Sequence, residues 1–190
     1  MTNPLCIDAL RLTNGGRIGV TGCPGRVRLF GSMAVEPGGV EQDIARLRHW
    51  GATAVLTLLE SDELALLDLG DLGPLVEDAG LAWMHCPVSD LSPIDENAFD
   101  RAWDAVRTEA HACLNAGGSL VLHCMAGYGR SGVFLARILV ERGVPPDESL
   151  ALVNAIRPGA IQGADQAAYV RALRCVAAEP DLPLAAHLVE

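Results

Sequence analysis

Apolar positions along this chain switch repeatedly between two spacings. RIGVTG (17–22), TAVLTLL (53–59), LAWMHCPV (81–88) and SLVLHC (119–124) are short aliphatic runs that read as buried strands. Between them the apolar residues recur at helical spacing. Val40, Ile44, Leu47 and Trp50 line one face of 40–50, with Gly51 as the stop. Phe99, Trp103, Val106, Ala110 and Leu114 do the same from Asp95 to Ala116, which Gly117 and Gly118 close. Residues 61–79 read as short helical turns interrupted by Gly70, Gly73 and Pro74. A helix over 131–143, one opening at Pro145-Pro146-Asp147 and ending before Pro158, and a last from Ala164 to Ala177 complete the pattern. Strands alternating with helices predict an α/β fold whose central, mostly parallel sheet is flanked by helices on both faces. No repeat or internal linker interrupts it, so 1–190 reads as a single domain with its core over about 15–177 and a loose tail at 178–190.

Composition narrows the function classes. Half of the 190 residues are hydrophobic, enough to bury a sizeable core, and no apolar stretch approaches the roughly 20 residues that span a bilayer. The 14 basic residues, all arginine, face 24 acidic ones, giving a net charge of −10. That balance argues against nucleic acid or an anionic membrane as a partner. The six cysteines share no CxxC spacing and no zinc pattern, so neither a metal nor a redox dithiol is expected, and no cofactor is implied. Without a signal-like N-terminus the thiols are expected reduced, in a cytoplasmic protein.

Chemistry concentrates in His123-Cys124-Met125-Ala126-Gly127-Tyr128-Gly129-Arg130-Ser131-Gly132. A cysteine leaving an apolar strand for a loop that enters a helix lies at a helix N-terminus. There the unpaired N–H groups and the helix dipole favour an anion, either thiolate or phosphate. Thiols in such places ionise at about 3.5–7.5 instead of about 8.5. Gly127 and Gly129 let the backbone of 125–130 curl into a nest for phosphate oxygens, and the planar fork of Arg130 clamps two of them. Ser131 stands where its hydroxyl can donate to the sulfur. Strand alternation turns His123 away from a pocket that Cys124 faces, which gives it a supporting role in holding the loop. A buried structural cysteine at an ordinary strand-to-helix turn is the plainer alternative.

The string matches the Cys-x5-Arg-Ser/Thr motif of the cysteine-dependent tyrosine and dual-specificity protein phosphatases. IGVTGCPG (18–25), HCPVSD and RPGAIQGADQ (157–166) resemble the kinase-associated phosphatase branch of that family, loosely outside the motifs. The resemblance implies the family's three-layer fold and hydrolysis of phosphorylated proteins through a phosphocysteine. It implies a general acid on a loop some thirty residues before the cysteine. Asp90, 34 residues upstream, takes that role, with Asp95 as a rival that reads better as a helix N-cap. It also places Gln162 and Gln166 as residues that orient the hydrolytic water. Loop positions Met125 and Tyr128 carry no lysine for polyphosphorylated headgroups. The absence of a pocket-deepening element points to phosphotyrosine and phosphoserine/threonine alike.

Three features remain open on sequence grounds. Arg157 either supports the loop or bridges a surface carboxylate. Cys86 is either a buried spectator or a disulfide partner for Cys124 under oxidation. Arg17, Arg26 and Arg28 form a basic patch that either faces substrate or is merely solvated. The competing functions are a phosphatase for a lipid or small-molecule phosphomonoester, a phosphate-binding module without turnover, and a thiol-dependent arsenate reductase.

Overall fold

The computed structural model describes residues 5–29, 32–36, 38–90 and 93–174. The first elements are β1 (Asp8–Arg11), β2 (Arg17–Thr21), β3 (Arg26–Leu29), β4 (Ser32–Val35), α1 (Gly39–Trp50), β5 (Ala54–Thr57), α2 (Ser61–Leu66) and α3 (Leu72–Asp78). They are followed by β6 (Ala82–His85), α4 (Glu96–Asn115), β7 (Ser119–His123), α5 (Arg130–Glu141), α6 (Pro146–Ile156) and α7 (Ala164–Ala172). The sheet order is β1-β2-β7-β5-β6, and every neighbouring pair is parallel except β1 with β2. The predicted α/β architecture is present as three layers.

Strand alternation divides the core in two. Ile18, Val20, Ala54, Leu56, Leu120 and Leu122 pack with Phe99, Trp103, Phe134, Val153 and Tyr169 on the α4–α7 face. Val55 and Val121 point the other way, onto Ile44, Leu47, Leu64, Leu72 and Val76 of α1–α3. Removing a side chain such as Leu56 on one face or Leu47 on the other from water contributes about 1.5–3 kcal/mol.

α5, which begins at Arg130, is buried along its whole length between the sheet and α6 and α7. A polar network fixes it. Glu141 accepts from Trp103 Nε1 and Arg137 Nε and pairs with His111, while Arg137 also reaches Asp100 and Tyr169. Burial pushes the Glu141 carboxyl up, but hydrogen bonds from His111, Trp103 and Arg137 hold it below the usual range.

Several expectations are corrected here. β1 falls outside the expected core of 15–177 and yet completes the sheet. Its four residues bury only Ala9 and Leu10, too short a pattern to show a period. The β3–β4 hairpin was likewise not predicted from its arginine-bearing strand. Gly73 and Pro74 do not interrupt a helix but lie in the first turn of α3, where a missing N–H costs nothing. The last helix ends at Ala172, with Leu173 extended, and Ala177 and the tail at 178–190 lie outside the described residues. Among the described residues, no helix is long and apolar enough to cross a membrane.

Candidate active site

The four parallel strands end at one edge of the sheet, with Thr21, His123, Thr57 and His85 in register across β2, β7, β5 and β6. In such sheets ligands bind beyond the carboxyl ends of the strands, and here the loop 124–129 leaves β7 between its neighbours. Cys124, 2% exposed, donates its thiol hydrogen to Tyr128 O across the loop at 3.1 Å. Gly127 has φ 75° and Gly129 φ 64°, ψ −103°. A Cβ at Gly127 would stand 2.5 Å from Thr21 O, and one at Gly129 2.8 Å from Gln162 Oε1, so both positions require glycine.

The loop is tied on all sides. Cys23 N donates to Met125 O at 3.1 Å, and Gly129 N to Ala160 O at 2.8 Å. Arg157 both supports the loop and bridges a carboxylate: Nη2 donates to Ala126 O at 3.1 Å, Nη1 pairs with Asp8 of β1, and the guanidinium lies 4.3 Å from the Tyr128 ring.

Arg130 is 2% exposed. Glu63 of α2 grips it with Oε2 2.5 Å from Nη1 and Oε1 2.9 Å from Nη2, and Nη1 also donates to Val88 O at 3.1 Å. Burial pushes the Glu63 carboxyl up, but hydrogen bonds from Arg130 and the Glu60 backbone hold it below the usual range. Asp90 Oδ1 lies 3.1 Å from Arg130 Nε, at ion-pair distance but out of line for a hydrogen bond, so Nε–H is a buried donor with no hydrogen bond. Ser131 Oγ is also buried without one.

His123 is fully buried. Its Nδ1 donates to Cys124 O (3.3 Å), since a carbonyl only accepts, and its Nε2 therefore accepts from Thr57 Oγ1 (2.8 Å). Thr57 in turn accepts from Trp83 Nε1 at 2.9 Å. This neutral arrangement satisfies each group, and burial lowers the imidazole to about 4.

A cleft of about 180 Å³ brings together Asp90, Arg130, Gln162 and Gln166, with Ile94, Phe99, Val133 and Asp165 among its walls. Asp95 lies at the N-terminus of α4, accepting from Ala98 N at 3.0 Å, as its rival reading held. The basic patch does not hold together. Arg17 starts β2 at the opposite end of the strand, where it stacks on Trp50 at 3.7 Å and donates to Trp50 O. Arg26 lies against Gly22, and the Arg28 side chain is outside the described residues. Cys86 is buried with its thiol pushed up to about 12 by burial, an environment that suppresses a thiolate. Glu63 and Asp8 were not singled out from the sequence. Glu63 had one available signal, as the third helical residue after a strand that ends beside the cysteine strand.

A family model, "Polymorphic toxin system, DSP-PTPase phosphatase", matches residues 32–144, more than half of the chain. The chain belongs to this family. It thus stands among the cysteine-dependent dual-specificity and tyrosine phosphatases. Human protein tyrosine phosphatase type IVA 3 is 29% identical over 118 residues, covering 62% of this chain and 62% of that protein. Mouse cyclin-dependent kinase inhibitor 3 is 24% identical, covering 71% of this chain and 63% of its own length. The chain thus spans less than two thirds of these relatives. A structure of kinase associated phosphatase with serine replacing its catalytic-site cysteine superposes with a TM-score of 0.74 at 22% identity, over 90% of this chain and 94% of that one. Tk-PTP in its active form gives 0.59 at 23% identity, over 83% and 91%. These likenesses carry the DSP-PTPase fold.

Proposed function

We propose that this protein is a metal-independent phosphatase that hydrolyses phosphotyrosine and phosphoserine/threonine on protein substrates through a phosphocysteine. The observation that carries this reading is the Nε–H of Arg130, buried without a hydrogen bond in the wall of the cleft beside the Cys124 loop. Leaving a buried donor unsatisfied costs about 1–3 kcal/mol, and a phosphoryl oxygen would supply the missing acceptor.

In this mechanism the Cys124 thiolate forms a bond to phosphorus as the ester P–O bond breaks. The amides of 125–130 and the Arg130 guanidinium take up charge on the equatorial oxygens. Asp90, protonated, gives its proton to the departing oxygen. It then accepts a proton from the water that attacks the phosphocysteine, with Gln162 and Gln166 orienting that water. The sulfur leaves as thiolate and receives a hydrogen bond from Ser131. A reduced nucleophile suits the cytoplasm.

The test is hydrolysis of para-nitrophenyl phosphate and a phosphotyrosyl peptide with a chelator present. Cys124→Ser is expected to abolish turnover while still binding the peptide. Full activity in that variant would overturn the mechanism.

A further inference from the structure

Little apolar surface holds α7. Of its nine residues only Tyr169 and Val170 are buried, yet its first turn carries Gln166 into the cleft. Gln162 N donates to Gln166 Oε1 at 2.9 Å, and a Cβ on Gly129 would stand 2.8 Å from Gln162 Oε1 and 3.2 Å from Gln166 Nε2. Both side-chain amides thus flank the residue before Arg130, on the loop that carries Cys124. Upstream, this segment is fixed to the loop where Gly129 N donates to Ala160 O at 2.8 Å. Downstream the fixed point is Tyr169, three residues beyond Gln166 and on the same face of α7. Tyr169 is 3% exposed. Its hydroxyl donates to Asp100 Oδ1 of α4 at 2.9 Å and accepts from Arg137 Nη1 of α5, which also donates to Asp100 Oδ1 at 2.5 Å. Burial pushes the phenol up, so the hydroxyl keeps its proton at neutral pH.

We infer that Tyr169 is a positioning residue for breakdown of the phosphocysteine: its hydroxyl, tied to Asp100 and Arg137, fixes α7 so that Gln162 and Gln166 stay beside the loop. This rests on the phosphatase reading above and deepens it. In that step a water oxygen bonds to phosphorus as the S–P bond breaks. The proton of the water passes to Asp90, leaving inorganic phosphate and the Cys124 thiolate. Formation of the phosphocysteine uses Cys124, Arg130 and Asp90, none of which α7 carries. Loss of the hydroxyl therefore slows the second step and spares the first. Tyr169→Phe is a narrow change, because Arg137 and Asp100 remain paired and the ring keeps its edge contact with Phe99 at 5.7 Å.

The experiment is rapid mixing of the full chain with para-nitrophenyl phosphate, reading the burst of para-nitrophenolate and the steady state that follows. Tyr169→Phe is expected to slow phosphocysteine breakdown by about tenfold, seen as a lower kcat and a burst approaching one equivalent of enzyme. Its kcat/KM, which reports only the steps through departure of the phenol, stays within about twofold of wild type. Asp100→Ala gives the same signature, whereas Asp100→Asn, which keeps an acceptor for both partners, restores wild-type behaviour. Asp100 is half exposed, so its variants decide the matter if Tyr169→Phe fails to fold. The double variant Gln162→Ala/Gln166→Ala shows the burst as well. Parallel loss of kcat and kcat/KM in Tyr169→Phe, or breakdown at the wild-type rate, overturns the positioning role. So does a burst in Tyr169→Phe that the double glutamine variant lacks. Either result is obtained on an active wild type and leaves the phosphatase reading standing, whereas folded wild type that hydrolyses no phosphomonoester sinks both.

Discussion

Glu63 holds both terminal nitrogens of Arg130 and, with the same carboxylate, accepts from its own helix N-terminus at Glu60 N (2.8 Å). One side chain thus anchors α2 to the guanidinium that faces the cleft. Glu63→Ala is expected to lower kcat/KM for an aryl phosphate by about 10–100-fold, because the fork loses its fixed orientation. Glu63→Gln, which retains one acceptor, is expected to lose less. Steady-state kinetics alongside thermal unfolding separates misorientation from global destabilisation. Unaltered kinetics in the alanine variant would remove Glu63 from any positioning role.

His123 predicts an acid-sensitive stability. Its folded value, about 4, lies below the ordinary 6.5, so between these pH values the unfolded chain binds the extra proton. The sign follows: stability rises with pH across that window, and acidification removes about 1.4 kcal/mol per pH unit through this group. Denaturant titrations from pH 7 to 4 should show that slope in wild type and lack it in His123→Asn.

Asp90 bears on leaving-group dependence. If it protonates the departing oxygen, Asp90→Asn should cut turnover of a phosphotyrosyl peptide by about 10²–10⁴-fold. Esters of acidic phenols, which leave unaided, should suffer less. Equal losses on both would mean that Asp90 acts only as a charge beside Arg130.

Arg157 and Asp8 act on the loop as a pair. Arg157→Ala is expected to weaken vanadate binding by about tenfold, since Ala126 O loses its donor and Tyr128 its cover. Asp8→Asn should do so more weakly, and the double variant should fall short of the summed effects. Isothermal titration of all three checks this, and strict additivity would show the contacts to be independent.

Reading the sequence reached the sheet, its helices and the cluster around Cys124, because these rest on patterns local to a few turns. The short aliphatic run at 119–124 marks the strand, and Gly127, Gly129 and Arg130 follow within a few residues. What escaped it is non-local. Asp8 meets Arg157 across 149 positions, and Glu63 meets Arg130 across 67. Neither pairing leaves a spacing to read. Arg17 and Arg26 show the opposite: neighbours in sequence, they lie at opposite ends of β2, Arg17 against Trp50 and Arg26 against Gly22.

The helix that begins at Arg130 presents no residue to solvent over its twelve positions. A segment so enclosed has almost no freedom to drift, while the cleft margins at Ser89, Asp90, Ile94 and 162–166 are partly open to water. Evolutionary change in what is recognised can therefore accumulate at the margins, with the reacting apparatus held constant underneath.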